Sequence, residues 1–179
     1  MKRMAGFLFV ISILPSRAPA QAPTTPPEPT PEHKKLQAYV GNWAAELDLK
    51  PSILGPGGTL TGETTCDWLS GRFHVICRSK WQDDTGEMEA LAVLTYNASE
   101  KAYTVYQIAS RGTTALWTGN LKDDRWTYDL DSNVDGQPIK IRITEKVTPE
   151  VLFWKEELAI AGGPWTVVGE GKETRTHKR

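Results

Sequence analysis

The chain is predicted to fold as an all-β protein, an antiparallel up-and-down barrel of about ten strands preceded by one short helix. Three observations carry this expectation. Gly41-Asn42-Trp43 opens a stretch of strict period two, with Trp43, Ala45, Leu47 and Leu49 on one face and Ala44, Glu46, Asp48 and Lys50 on the other. That alternation is the pattern of a strand with one side buried and one side wet. The remainder continues in short alternating segments separated by Gly, Asp, Asn and Pro, and no long amphipathic helix interrupts them.

In chain order, Lys2 and Arg3 precede the apolar run 7–14, and Ala18-Pro19-Ala20 supplies small residues for cleavage, so residues 1–20 read as a secretory signal peptide cut after Ala20 or Ala22. The run is far shorter than the roughly 20 residues that span a bilayer, and no transmembrane segment is expected elsewhere. No cysteine lies near the cleavage site to take a lipid. The expected location is therefore the periplasm or beyond. Residues 21–31 are rich in Pro and Thr and read as a disordered lead, because they cannot bury enough surface to fold. Residues 32–179 are expected to form one barrel domain. Loss of Lys2, Arg3 and Arg17 from 21 basic residues leaves 18 against 22 acidic ones, a net charge near −4 that offers nothing to nucleic acid or an anionic membrane.

Thr30-Pro31-Glu32 marks a helix start, with a hydroxyl cap, Pro at the first helical position and a carboxylate at the positive end of the dipole. The helix is expected over 33–40, with Leu36 and Val40 on one face, closing one end of the barrel. Strands are predicted at 41–50, 58–68, 73–82, 86–96, 102–109, 113–121, 124–131, 138–147, 150–160 and 164–175. Their separators are turn sequences such as Gly55-Pro56-Gly57-Gly58, Ser70-Gly71, Asp123-Asp124 and Asp135-Gly136. Closing the meander removes both sheet edges, although a split barrel or sandwich fits the same pattern.

The stretch 66–77 tests this internally. Folding it about Gly71-Arg72 sets Cys66 opposite Cys77, Trp68 opposite Val75 and Ser70 opposite Phe73, and directly opposed residues lie within disulfide range. In an oxidising compartment a Cys66–Cys77 bridge is expected, with two buried free thiols as the alternative.

Gly41-x-Trp43 after a short helix, about ten antiparallel strands and an Arg late in the last strand resemble the calycin superfamily of lipocalins, fatty-acid-binding proteins and related barrels. The resemblance implies a basic residue of the last strand lying over the first-strand Trp. Arg175 shares parity with Trp165 and Val167, and antiparallel closure brings the end of the last strand to the start of the first, so Arg175 is expected over Trp43. More closely, the signal peptide, the Pro-rich lead, Pro31-Glu32-His33, Leu36, Val40-Gly41-x-Trp43, Gly71-Arg72-Phe73 and the terminal Lys-Arg resemble a family of secreted bacterial proteins of unknown function with a calycin-like barrel. The resemblance implies fold and not activity. The further motifs by which lipocalins are recognised are missing.

No catalytic constellation emerges. His33, His74 and His177 are the only histidines, and His74 is expected to face outward, which leaves no inward ligand for a haem-binding barrel of the nitrobindin type and no three convergent ligands for zinc. Asp131-Ser132-Asn133-Val134-Asp135-Gly136 copies half a calcium loop but carries Arg142 where the bidentate Glu belongs, so a hairpin turn explains it better. Glu87 with Glu89 and Glu156 with Glu157 could mimic acid–base pairs, but charges on solvated strand faces are the simpler reading. No cofactor is expected.

The chain holds 7 Trp, 5 Tyr and 4 Phe, and inward parity gathers Trp43, Trp68, Phe73, Trp117, Trp126 and Tyr128. With Arg175 these are the expected ligand-contacting residues of the barrel interior. The leading expectation is thus an extracytoplasmic binder of a small, mostly apolar molecule. Alternatives are an envelope interaction protein with a filled barrel, and a haem-binding or small-molecule enzyme that would need an inward titratable group with a perturbed pKa.

Overall fold

A computed structural model describes residues 27–177. The signal peptide expected over 1–20, most of the lead expected over 21–31 and the terminal Lys-Arg lie outside the described residues. The chain forms a short helix α1 (Pro31–Lys35) continued by a 3-10 turn (Leu36–Tyr39). Ten strands follow: β1 (Gly41–Leu49), β2 (Gly58–Trp68), β3 (His74–Asp83), β4 (Gly86–Asn97), β5 (Ala102–Ala109), β6 (Thr114–Lys122), β7 (Arg125–Val134), β8 (Gln137–Val147), β9 (Val151–Ile160) and β10 (Thr166–Thr176). Each pairs antiparallel with its chain neighbour, and β1 pairs with β10, so the sheet is a closed barrel without an open edge. The split barrel and the sandwich are excluded.

The helix begins as its capping chemistry requires. The Thr30 hydroxyl caps the first turn and the His33 ring reaches back to the Thr30 backbone N–H at 3.2 Å. The expected inward pair Leu36 and Val40 is only half right. Because the second turn tightens to three residues per turn, the inward face runs through His33, Leu36 and Tyr39, all buried, while Val40 is half-buried and already extended. This shift aims Tyr39 into the barrel. The Tyr103 hydroxyl donates to the Glu32 carbonyl at 3.2 Å, and Tyr103 and Tyr39 both pack on Trp126, which ties the helical segment into one end of the barrel.

The β2–β3 hairpin has the anticipated register, with Cys66 opposite Cys77 and Trp68 opposite Val75. The two cysteines form a disulfide, their Cα atoms 4.0 Å apart. The loop differs from expectation. Leu69 accepts a hydrogen bond from the Arg72 N–H at 2.9 Å, closing a turn in which Gly71 and Arg72 both have positive φ, so Ser70 and Phe73 belong to the loop and not to the ladder. Asp135-Gly136 is a two-residue hairpin turn with both residues at positive φ, joining Val134 to Gln137; Asp131, Ser132 and Asn133 lie in β7.

Closure sets Trp43 directly opposite Arg175, and the guanidinium carbon sits 4.1 Å from the indole ring. The parity premise for this needs correction. A bulge between Val167 and Gly169 reverses the facing of β10, so Trp165 lies outside the barrel under Arg142 while Arg175, at the same odd spacing, faces in. Arg175 also donates to the carbonyls of Val40 at 2.6 Å, Ala38 at 3.3 Å and Pro149, bolting the helical segment to the β8–β9 turn. Arg175→Ala is expected to cost about 2 kcal/mol, from a partly desolvated cation–π contact and orphaned carbonyls. Lys at this position restores only part of it, since an ammonium cannot serve three acceptors and stack as a plane. Urea unfolding of both variants checks the order; equal stability of Arg175→Ala and the unaltered protein would contradict it.

Candidate functional site

The barrel encloses a cavity of about 300 Å³. Much of its wall follows from period two: Leu47 and Leu49 from β1, Leu60 from β2, Leu94 from β4 and Val105 from β5 face inward, and the Cys66–Cys77 bridge forms part of the lining. Indoles supply much of the rest: Trp43, Trp81, Trp117 and Trp154. Strand glycines make room for three of the aromatics. Gly62 lies opposite Trp81 and Gly119 opposite Tyr128, while Trp154 covers Gly169; a side chain at any of the three glycines would overlap the ring on it.

The polar groups are unevenly distributed. On one side Thr64 and Ser79 satisfy each other at 2.9 Å, and the Trp117 N–H donates to Gln107 at 3.3 Å. On the other side β8, β9 and β10 contribute Glu145, Glu156 and Glu173, one from each strand. Tyr39 donates to Glu145 at 2.5 Å, and the hydroxyls of Tyr39 and Tyr128 are 3.3 Å apart. Among the described residues no Lys, Arg or His lines the cavity.

Burial governs the protonation of this cluster. It pushes the Glu145 carboxyl up to about 7, opposed in part by the Tyr39 hydrogen bond. It raises Glu173 to about 7 as well, helped by the neighbouring charge of Glu145, and lifts Glu156 above its ordinary value. Tyr39 and Tyr128 are held well above the usual phenol range, first by burial and then by Glu145. Stability should respond in a definite direction. A carboxyl that titrates near 4.5 unfolded and near 7 folded keeps a proton in the folded state that the unfolded chain has released, so stability declines as pH rises across that window and is flat above it. Glu173→Gln is therefore expected to raise the melting temperature more at about pH 8 than at about pH 4.5, where the folded state keeps its proton and the unfolded chain has released only half of its own. Equal increments at the two pH values would count against a buried ionised Glu173.

Of the aromatics singled out by sequence parity, Trp43, Trp117 and Tyr128 line the cavity. Trp126 is buried behind it, packed on Tyr39, Tyr103 and Tyr128. Trp68 and Phe73 lie at the helical end: Trp68 donates to Gln37 at 2.8 Å beneath Arg72, and Phe73 meets the edge of His33. Arg175 covers Trp43 at the same end. His33 is buried between Phe73 and Tyr96 with its pKa lowered by burial, and neither His33, His74 nor His177 reaches the cavity.

Glu156 requires a correction. The expectation of a solvated strand face shared with Glu157 fails because strand parity separates the two: Glu157 pairs outside with Lys155 at 3.0 Å while Glu156 faces the cavity. Glu87 and Glu89 are exposed, Glu89 pairing with Lys80. Sequence reasoning missed Tyr39, Glu145 and Glu173. A signal for Glu145 was present, since it interrupts the inward series Ile139, Ile141, Ile143 and Val147.

The fold and an interior cavity define a calycin-like barrel. The chain belongs to the family described as Protein of unknown function (DUF1579), whose profile matches residues 28–148. No curated protein matches it. Among solved structures it is similar to Rv2717c from M. tuberculosis, with 12% identity over 84% of this chain and 100% of that one at a TM-score of 0.62. It is also similar to the S-type phycobiliprotein lyase CPES from Guillardia theta, with 11% identity over 83% and 94% of the two chains at a TM-score of 0.51. At these identities the likeness concerns the fold alone. No helix among the described residues is long and apolar enough to cross a membrane, and a disulfide suits an oxidising compartment.

Proposed function

We propose that this chain is an exported binding module that takes one small, mostly apolar molecule into its barrel. The observation that carries the reading is the interior cavity of about 300 Å³, walled by leucines and indoles and not filled by them. The signal-peptide pattern of residues 1–20 and the Cys66–Cys77 bridge support the periplasm or the exterior as its place of work. Native mass spectrometry of protein recovered from the periplasm tests both parts. A co-purified mass released by unfolding, on a chain lacking residues 1–20, is the expected result. A protein that stays in the cytoplasm with residues 1–20 attached, or one that takes up no apolar probe at saturating concentration, would defeat the reading.

A second reading has one specific observation in its favour. Burial raises both Glu145 and Glu173 to about 7 on the wall of one cavity, the condition for one carboxyl to donate and another to accept a proton on a bound molecule. Under this reading the barrel would change its ligand as well as hold it. Turnover that disappears in Glu145→Gln, with binding retained, would establish it.

A further inference from the structure

The cavity joins two features that are rarely combined without a ligand to reconcile them. Its walls are apolar and aromatic, yet three carboxyls open into it and, among the described residues, no basic side chain lines it to answer them. Glu145 has one partner, Tyr39; Glu156 owes its shift to burial and Glu173 to burial and then the charge of Glu145, with no hydrogen bond contributing to either. Glu173 is thus a half-buried carboxyl on the cavity wall with no hydrogen-bond partner among the described residues. In register, Glu145 lies opposite Trp154 and Glu173 opposite Leu152, so the two flank β9 from either side while Glu156 stands further along the same strand. Among the described residues no group of His, Cys, Asp and Glu converges closely enough to hold a metal ion. The complement of such a site is a cation too large and too apolar to be a metal.

We propose that the barrel selects a compact organic cation, an apolar body bearing a protonated amine, with the ammonium held between Glu145 and Glu173 and the body against the indoles of Trp43, Trp81 and Trp154. This rests on the reading of the barrel as a small-molecule binder and names its ligand class. An ammonium donates up to three hydrogen bonds, which suits carboxylate oxygens left unpartnered by the fold, and the surrounding ring faces attract the same charge. The groups facing the ammonium are Tyr39 from the 3-10 turn, Tyr128 from β7, Glu145 from β8, Glu156 from β9 and Glu173 from β10; Arg175, on the same strand as Glu173, is engaged by Trp43 and three backbone carbonyls. The phenols stay neutral, so the carboxyls alone set the charge of the site. Binding of a cation then requires that they ionise, and affinity must rise with pH.

The experiment compares 2-phenylethylamine with 2-phenylethanol, two probes of one shape that differ in charge, by titration calorimetry on the oxidised protein. The amine is expected to bind at least about tenfold tighter than the alcohol at about pH 8, a preference that shrinks toward unity at about pH 5 while the amine itself remains protonated. Glu145→Gln and Glu173→Gln should each reduce the amine-to-alcohol ratio about tenfold. If either variant fails to fold by circular dichroism, the pH titration of the unaltered protein still decides. Alcohol and amine binding equally well would overturn the cation proposal and leave the binding reading intact. Neither probe binding would overturn both. An amine preference that ignores pH and both substitutions would refute the assignment to these carboxyls.

Discussion

Trp43→Ala is expected to lower stability by about 3 to 5 kcal/mol, the range for emptying a large aromatic site in a packed interior. Trp43 is 2% exposed, its N–H donates to the Tyr39 carbonyl at 2.8 Å, and its ring carries the Arg175 guanidinium. Truncation removes the volume, orphans the carbonyl and strips the cation of its partner at the junction of helix, first strand and last strand. Trp43→Phe should cost less, because a ring remains beneath Arg175 while the hydrogen bond is lost. Urea midpoints at unchanged slope provide the measurement. A loss under about 1 kcal/mol for the alanine variant would mean that Trp43 does not organise this junction.

Reducing the Cys66–Cys77 bridge is expected to cost about 3 kcal/mol, the chain-entropy value for a loop with a sequence separation of 11. The hairpin keeps its ladder in either state, so the loss should appear as a lower midpoint and not as an altered fold. The oxidised chain should weigh about two mass units less than the reduced one and resist thiol labelling until reductant is added. Free thiols in protein recovered from the periplasm, or identical melting in the two redox states, would contradict this. Because both cysteines line the cavity, reduction should also change the affinity for whatever occupies it.

Much of the barrel was legible because local chemistry and global topology agree. Two-residue Asp and Gly turns cut the chain into strands whose inward faces are continuous, and the pairing of Cys66 with Cys77 follows from one hairpin. The acidic side of the cavity was not legible, for a physical reason: an acidic residue normally belongs to water, and period two alone cannot say when a strand's inward face breaks that rule. Glu145 could have been noticed within its isoleucine series. Glu173 shares the inward parity of Arg175 and is hidden only by its charge, while Tyr39 is hidden by the tightening of the helix into a 3-10 turn. For Tyr39 a one-residue change in backbone geometry decides that its side chain enters the cavity.

Closure of the sheet through β1 and β10 also bears on how the molecule comes into being. Every other strand pairing joins sequence neighbours, so nine of the ten ladders can zip locally as soon as the segments exist. The tenth unites residues as far apart as Asn42 and Thr176 and carries nearly the whole loop-closure entropy of the topology. A chain made from its N-terminus must therefore hold β1 as a raw edge until its final strand arrives. That edge presents Glu46 and Asp48 on its outer face, which discourages neighbouring chains from adding to it, and Lys172 arrives opposite Glu46 when β10 docks. The last strand thus acts as a kinetic latch. Before it engages, the cavity is an open trough; once Arg175 has seated on Trp43, the barrel wall is complete.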